Sequence, residues 1–177
     1  MVPEQINHYK ILEKLGEGGM GEVYRAEDTR LGRIVAIKLV LPHFASDQIR
    51  LKRFVHEAKA ASALNHPNVC IIYDAGETND KRPFIVMEYI EGLDLHERME
   101  QCALTDDLII NLGIQLSDAL SEAHAKGIIH RDIKPSNIRI NQRDQANFLI
   151  SGWPSSCHLP AISRPRHLLL LKRRRDS

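Results

Sequence analysis

Residues 9–40 read YKILEKLGEGGMGEVYRAEDTRLGRIVAIKLV, apolar runs separated by glycine-bearing turns. The β-branched and aromatic content of the first and last runs favours strands, with Asp28 to Gly32 as a hairpin turn. Between them, Gly16-Glu17-Gly18-Gly19-Met20-Gly21-Glu22-Val23 fits the pattern GxGxxGxV. Alone the pattern is weak, because a dinucleotide-binding βαβ unit uses similar glycines to open a helix, with an acid about 20 residues on. Here the glycines lead into Glu22-Val23-Tyr24, which suits a returning strand. A strand-turn-strand with three glycines lets backbone N–H groups approach phosphate oxygens without side-chain obstruction.

Outward from this hairpin, residues 47–64 lack glycine and proline, and Ile49, Phe54, Ala58, Ala61 and Leu64 fall near helical spacing. His66-Pro67-Asn68 stops that helix. Strands are expected around residues 69–77 and 84–90, the second nearly all apolar as a buried strand would be. A short helix is expected over 93–99. A long one is expected over 105–126, with Thr105 as N-cap, Asp106 and Asp107 in the first turn, and Gly127 past its end. Its Leu108, Leu112, Leu116, Ala119 and Ala123 form a stripe. Ile138-Arg139-Ile140 reads as a short strand. The order of strands, helix, strands, helix gives an α+β fold rather than alternating βαβ units.

The chain has 177 residues, enough for one ordinary domain. Hydrophobic residues at 43% and charged residues at 27% exclude a disordered or fibrous chain. Cys70, Cys102 and Cys157 are too scattered for a disulfide framework or a zinc site, so free thiols in a reducing cytoplasm are expected. No apolar run approaches the roughly 20 residues of a membrane span, and the start is not a signal peptide. The net charge of +1 hides an asymmetry: residues 151–177 carry six basic side chains against Asp176, with three prolines and no period. Leu168 to Leu171 is too short to anchor in a membrane, and no aromatic platform accompanies Lys172 to Arg175 for stacking bases. That stretch reads as a disordered tail, with neither a nucleic-acid nor a membrane partner.

Three further motifs follow the glycine turn. Val35-Ala36-Ile37-Lys38 sets a lysine among strand residues, Glu57 lies within the 47–64 helix, and His130-Arg131-Asp132-Ile133-Lys134-Pro135-Ser136-Asn137 groups an acid, a cation and an amide. Each alone has a plain explanation: an edge charge, a solvated helix face, a loop of turn formers. Together and in this order they resemble the protein kinase family, specifically bacterial serine/threonine kinases of the eukaryotic-like type. The resemblance covers residues 9–146 and implies a small lobe of antiparallel sheet plus one helix over 9–90. Residues 1–8 are then an N-terminal extension, and 91–146 the start of a helical large lobe.

What the resemblance implies is phosphoryl transfer from ATP to a serine or threonine of a protein substrate, with Mg²⁺. Backbone amides of Gly16, Glu17, Gly18, Gly19, Met20 and Gly21 would cover the phosphates. Lys38 would hold the α- and β-phosphates, oriented by Glu57. Asp132 would accept the substrate hydroxyl proton, Lys134 would offset phosphoryl charge, and Asn137 would hold Mg²⁺. Adenine would lie between Leu15, Val23 and Ala36 and bond the backbone of Glu88 to Ile90, behind Met87. Arg139 takes the place where the family usually sets an apolar floor for adenine, which an arginine stem can supply with its head sent to water.

Family members carry Asp-Phe-Gly shortly after the catalytic-loop asparagine, and this sequence has none. Residues 147–155, Asn-Phe-Leu-Ile-Ser-Gly-Trp-Pro-Ser, can be written AAC TTC TTG ATT TCG GGC TGG CCA AGC. With one nucleotide restored, AAG CTT CTT GAT TTC GGG CTG GCC AAG encodes Lys-Leu-Leu-Asp-Phe-Gly-Leu-Ala-Lys. Residues 147–177 are therefore expected to be out-of-frame translation after a single-nucleotide deletion in codon 147. Sequencing the coding DNA tests this: an adjacent frame should spell Asp-Phe-Gly from codon 150, and codons that cannot do so would end the idea.

Overall fold

The computed structural model describes residues 3–18, 21–42, 58–59, 62–130 and 132–149. Gly19, Met20, Glu57, most of the expected 47–64 helix and the expected tail from residue 150 lie outside the described residues. Residues 58–59 and 62 are helical.

Six strands build the first sheet: β1 (Gln5–Ile6), β2 (Tyr9–Gly18), β3 (Gly21–Asp28), β4 (Arg33–Val40), β5 (Ile72–Glu77) and β6 (Pro83–Glu88). All pairings are antiparallel, in the order β1-β2-β3-β4-β6-β5. Alternation along each strand gives the sheet two apolar faces. On one, Tyr24, Ile37, Leu39, Phe84 and Val86 pack together. The other carries Leu15, Val23, Ala36, Ile85 and Met87. The sheet is curled: the Tyr9 hydroxyl on β2 donates to Asp74 Oδ2 on β5 at 3.0 Å, although three strands separate them. Burial and the Asp74 carboxylate push the Tyr9 hydroxyl up to about 12.

The second sheet, β7-β8-β9, joins β7 (Leu93–Asp94), β8 (Ile138–Ile140) and β9 (Ala146–Phe148). Helix α1 (Leu95–Gln101) starts in a reciprocal cap, Asp94 accepting from Glu97 N while the Glu97 side chain accepts from Asp94 N. Helix α2 (Asp106–Ala125) is capped by the Thr105 hydroxyl, as expected. A 3₁₀ turn, Pro135–Asn137, precedes β8. β9 goes beyond the expected elements; it extends pairing two residues past the division at 146, because Ala146 and Phe148 face an apolar cluster with Val69, Leu112, Ile138 and Ile140.

The two sheets meet through backbone. Phe148 N donates to Asn68 O at 2.9 Å and Cys70 N donates to Phe148 O at 3.0 Å. The Asn68 side-chain amide also donates to Gln115 Oε1 on α2 at 2.8 Å and to Ala146 O at 2.7 Å.

The face of α2 that meets solvent is not the leucine stripe. Leu108, Leu112 and Leu116 would be left to water if their only partners were further large-lobe helices. Instead Leu112 is buried, and Leu108 and Leu116 pack on the β8–β9 cluster. The exposed side is Ile109, Ile110 and Ile114, at 51%, 62% and 66%. These isoleucines stand among polar neighbours on the same helix, Asp106, Asp107, Asn111 and Asp118.

Gly92, at φ +141°, shapes the link from β6 to β7, and a Cβ there would overlap Ile140 O on β8. Gly92→Ala is expected to destabilise the chain by about 2 kcal/mol or more, through strain and loss of the β7–β8 approach. Thermal denaturation by circular dichroism checks this; an unchanged midpoint would contradict it.

Candidate nucleotide and phosphoryl-transfer site

Period-2 alternation puts Lys38 on the same sheet face as Ala36, directly opposite Val23 on β3 and Ile85 on β6. That face gathers Leu15, Val23, Ala36, Met87 and Ile90 into one buried cluster, the residues expected around adenine. Lys38 is itself only 3% exposed. A buried ammonium is costly unless it interacts with other groups, and Lys38 does so. Cys70, Ala58 and Leu149 complete the cluster and were missed in the sequence, since small apolar residues carry no chemical signature. Burial drives the Cys70 thiol far above its ordinary range, so it packs as a hydrophobe.

Gly16, Glu17 and Gly18 end β2, and Gly18 pairs with Gly21 across the turn. Gly21 has a packing reason beyond phosphate access: a Cβ there would stand 2.5 Å from Leu39 O on β4. Glu88 closes β6, its N–H donating to Ile71 O at 2.8 Å and its carbonyl accepting from Cys70 Sγ. Arg139 is buried, and its guanidinium donates to Gly92 O, so the head is drawn to the hinge link rather than to water. This differs from the expected exposed head because β7 and the Gly92 carbonyl close that side.

The catalytic-loop residues form one network. Lys134 Nζ lies 3.0 Å from Asp132 Oδ2, and the Asn137 amide donates to Asp132 Oδ2 at 2.9 Å and to Asp132 O at 2.8 Å. Those contacts, led by the Lys134 hydrogen bond, hold the Asp132 carboxyl below its ordinary value against a smaller effect of burial. Leu149 fastens the loop: Leu149 N donates to Asn137 O at 2.9 Å, and Leu149 O accepts from His130 Nε2 at 2.7 Å. A carbonyl only accepts, so Nε2 carries the proton, leaving Nδ1 to face Asp132 N at 3.4 Å.

Asn137 is fully buried, and its Oδ1 has no hydrogen-bond partner. An unsatisfied buried amide oxygen is costly unless something binds it. An oxygen donor of this kind fits Mg²⁺, which takes few protein ligands and shares the rest with phosphates and water. Among the described residues no group of three or more His, Cys, Asp or Glu side chains could cage a metal alone. Asp132 and Asn137 are thus the residues near which a cation would be shared.

The protein kinase domain family matches residues 9–161. The chain belongs to the protein kinase family. It is 42% identical over 143 residues to the serine/threonine-protein kinase pkn3 of Myxococcus xanthus, covering 80% of this chain and 26% of that protein. It is 46% identical over 162 residues to the serine/threonine-protein kinase PrkC of Bacillus subtilis, covering 91% and 25% respectively. The chain thus spans about a quarter of the length of these relatives. Among solved structures, the Mycobacterium tuberculosis PknI kinase domain superposes with a TM-score of 0.73 at 28% identity, covering 84% of this chain and 61% of that one. The six-stranded sheet is therefore a kinase small lobe, and α1, α2 and the second sheet are part of the large lobe. No described helix is long and apolar enough to cross a membrane.

The depressed Asp132 value carries a directional test. Lys134→Met removes the leading cause, so the Asp132 carboxyl should titrate at higher pH, read by carbon-detected NMR. Because the folded value lies below the unfolded one, this group stabilises the fold above its ordinary range. That contribution is lost as pH falls through the folded value, and Lys134→Met should shrink it. An unmoved titration would show that Lys134 does not set the Asp132 charge.

Proposed function

We propose that the chain carries the ATP-binding and catalytic-loop portion of a bacterial serine/threonine protein kinase, acting in the cytoplasm. The observation that supports this most directly is the Asp132–Lys134–Asn137 network, held in place with the Asn137 Oδ1 unspent. In this reading adenine lies against Leu15, Val23 and Ala36 and bonds the backbone between Glu88 and Ile90, behind Met87. Backbone amides from Gly16 to Gly21, Gly19 and Met20 included, cover the phosphates. Lys38, oriented by Glu57, holds the α- and β-phosphates by charge. Asp132 accepts the proton of a substrate serine or threonine hydroxyl as its oxygen attacks the γ-phosphorus, the bond from that phosphorus to the β–γ bridging oxygen breaks and ADP leaves, and Lys134 offsets charge on the group in flight. Mg²⁺, held in part by Asn137, neutralises phosphate charge when bound.

A second reading, nucleotide binding without turnover, is favoured by one feature. Where the family sets Asp-Phe-Gly after this strand, the chain has Ile150-Ser151-Gly152. Restoring one nucleotide in codon 147 would encode leucine at positions 148 and 149 and aspartate at position 150. Phe148 and Leu149 are both buried, so either frame supplies apolar residues at these positions, and the strand persists up to the first residue that matters chemically. The division into extension (1–8), small lobe (9–90), partial large lobe (91–146) and out-of-frame tail (147–177) belongs to this proposal, β9 notwithstanding.

Two measurements test it. Mg-ATP at a hundredfold excess over its dissociation constant should stabilise the chain by about 2.7 kcal/mol, visible as a rise in melting temperature, and Lys38→Met should abolish that rise. The frame-restored domain should phosphorylate a generic basic protein, with Lys38→Met lowering the rate by roughly a few hundred-fold, the worth of one preorganised charge. Activity unchanged by Lys38→Met would show the phosphate site misplaced.

A further inference from the structure

β6 ends at Glu88 and β7 starts at Leu93, so residues 89–92 belong to neither sheet and need other contacts to fix them. Glu88 is secured from the β5 side, its N–H donating to Ile71 O at 2.8 Å and its Oε2 accepting from Ile71 N at 3.4 Å. Ile90 is buried in the cluster with Leu15, Val23 and Ala36. Tyr89, between them, is half-buried. It packs on that cluster, and the Arg25 guanidinium lies over its ring, 5.4 Å from the centroid.

Arg25 reaches that ring from β3. Directly opposed residues of an antiparallel pair share a face, and the register runs Glu13–Arg25–Ala36–Met87 across β2, β3, β4 and β6. Ala36 and Met87 belong to the cluster that holds Leu15 and Val23, so Arg25 stands on the same face of β3 as Val23. Glu13 orients it, Arg25 Nη1 lying 3.1 Å from Glu13 Oε1. The Arg25 Nε is buried with no hydrogen-bond partner, as befits a guanidinium laid along a ring instead of turned to an acceptor. Burial raises the Tyr89 hydroxyl above its ordinary range against the charges of Arg25 and Arg139, so the ring is neutral and offers its face to a cation. Apolar packing alone is not directional, whereas a cation held by a carboxylate fixes where the ring lies.

We propose that Arg25 is a positioning residue for the purine base: lying against the Tyr89 ring, it fixes the backbone between Glu88 and Ile90 where adenine bonds. The inference rests on the nucleotide-cleft reading above. It requires Arg25 to act through Tyr89 and to matter equally for the nucleoside and the nucleotide, since both present the same base.

Binding of adenosine and of ATP to the full 177-residue chain, measured by calorimetry, tests this. Arg25→Met is expected to weaken both ligands by the same factor, about fourfold, the worth of a partly exposed cation–π contact. Arg25→Lys keeps a cation without the flat plane and should recover part of the loss. Tyr89→Leu removes the ring, and adding Arg25→Met to it should then change affinity by less than about twofold. Arg25→Gln, which retains a donor toward Glu13, gives the same cycle should the methionine variant fail to fold. Losses that multiply in the double variant would overturn the inference, because Arg25 would then act without Tyr89 or through a general defect of the sheet. A loss confined to ATP would overturn it too, the mark of a charge acting on the phosphates. Affinities unchanged by Arg25→Met would overturn the inference alone. A wild-type chain binding neither ligand would overturn the nucleotide-cleft reading and this inference with it.

Discussion

The site depends on two consecutive residues, Phe148 at the end of β9 and Leu149 just after it. Phe148 exchanges backbone hydrogen bonds with Asn68 and Cys70, which ties the large-lobe sheet to the segment leading into β5. Leu149 then serves three neighbours: its side chain enters the cluster of Leu15, Val23 and Ala36, its N–H bonds Asn137 O, and its carbonyl accepts from His130. The loop bearing Asp132 and Asn137 is thus fastened to the residue that follows β9. Backbone groups make most of these bonds, so the arrangement tolerates changes of side chain at 148 and 149 while they stay apolar.

Two buried cations divide the work on either side of that strand. Lys38 faces the slot from β4, where alternation forces it inward with Ala36. Arg139 lies on β8, and its guanidinium is engaged by the Gly92 carbonyl. Both cations are thus buried with interactions that offset part of the cost of taking charge out of water.

Much of this was legible in the sequence because the chemistry demands particular residue types. Glycines at a turn, a lysine between apolar strand residues, and an acid, cation and amide within six positions are each unusual in combination, and α2 announced itself through Thr105. What stayed hidden depends on register or on partner. Cys70 and Leu149 look like any apolar residue until pairing brings them to the cleft. Lys14 lies within reach of Glu22 only through the β2–β3 register. On α2, periodicity displays a leucine stripe and an isoleucine patch together, but only packing reveals that β8 and β9 take the leucines.

That isoleucine patch bears on how the polypeptide would fare inside a cell. Ile109, Ile110 and Ile114 present branched apolar surface on a well-formed helix, the kind of feature that holdase chaperones and quality-control proteases recognise. How that face is covered then bears on abundance as well as on global stability. Polar residues at these three positions would remove the branched apolar surface without touching Lys38, Asp132 or Asn137.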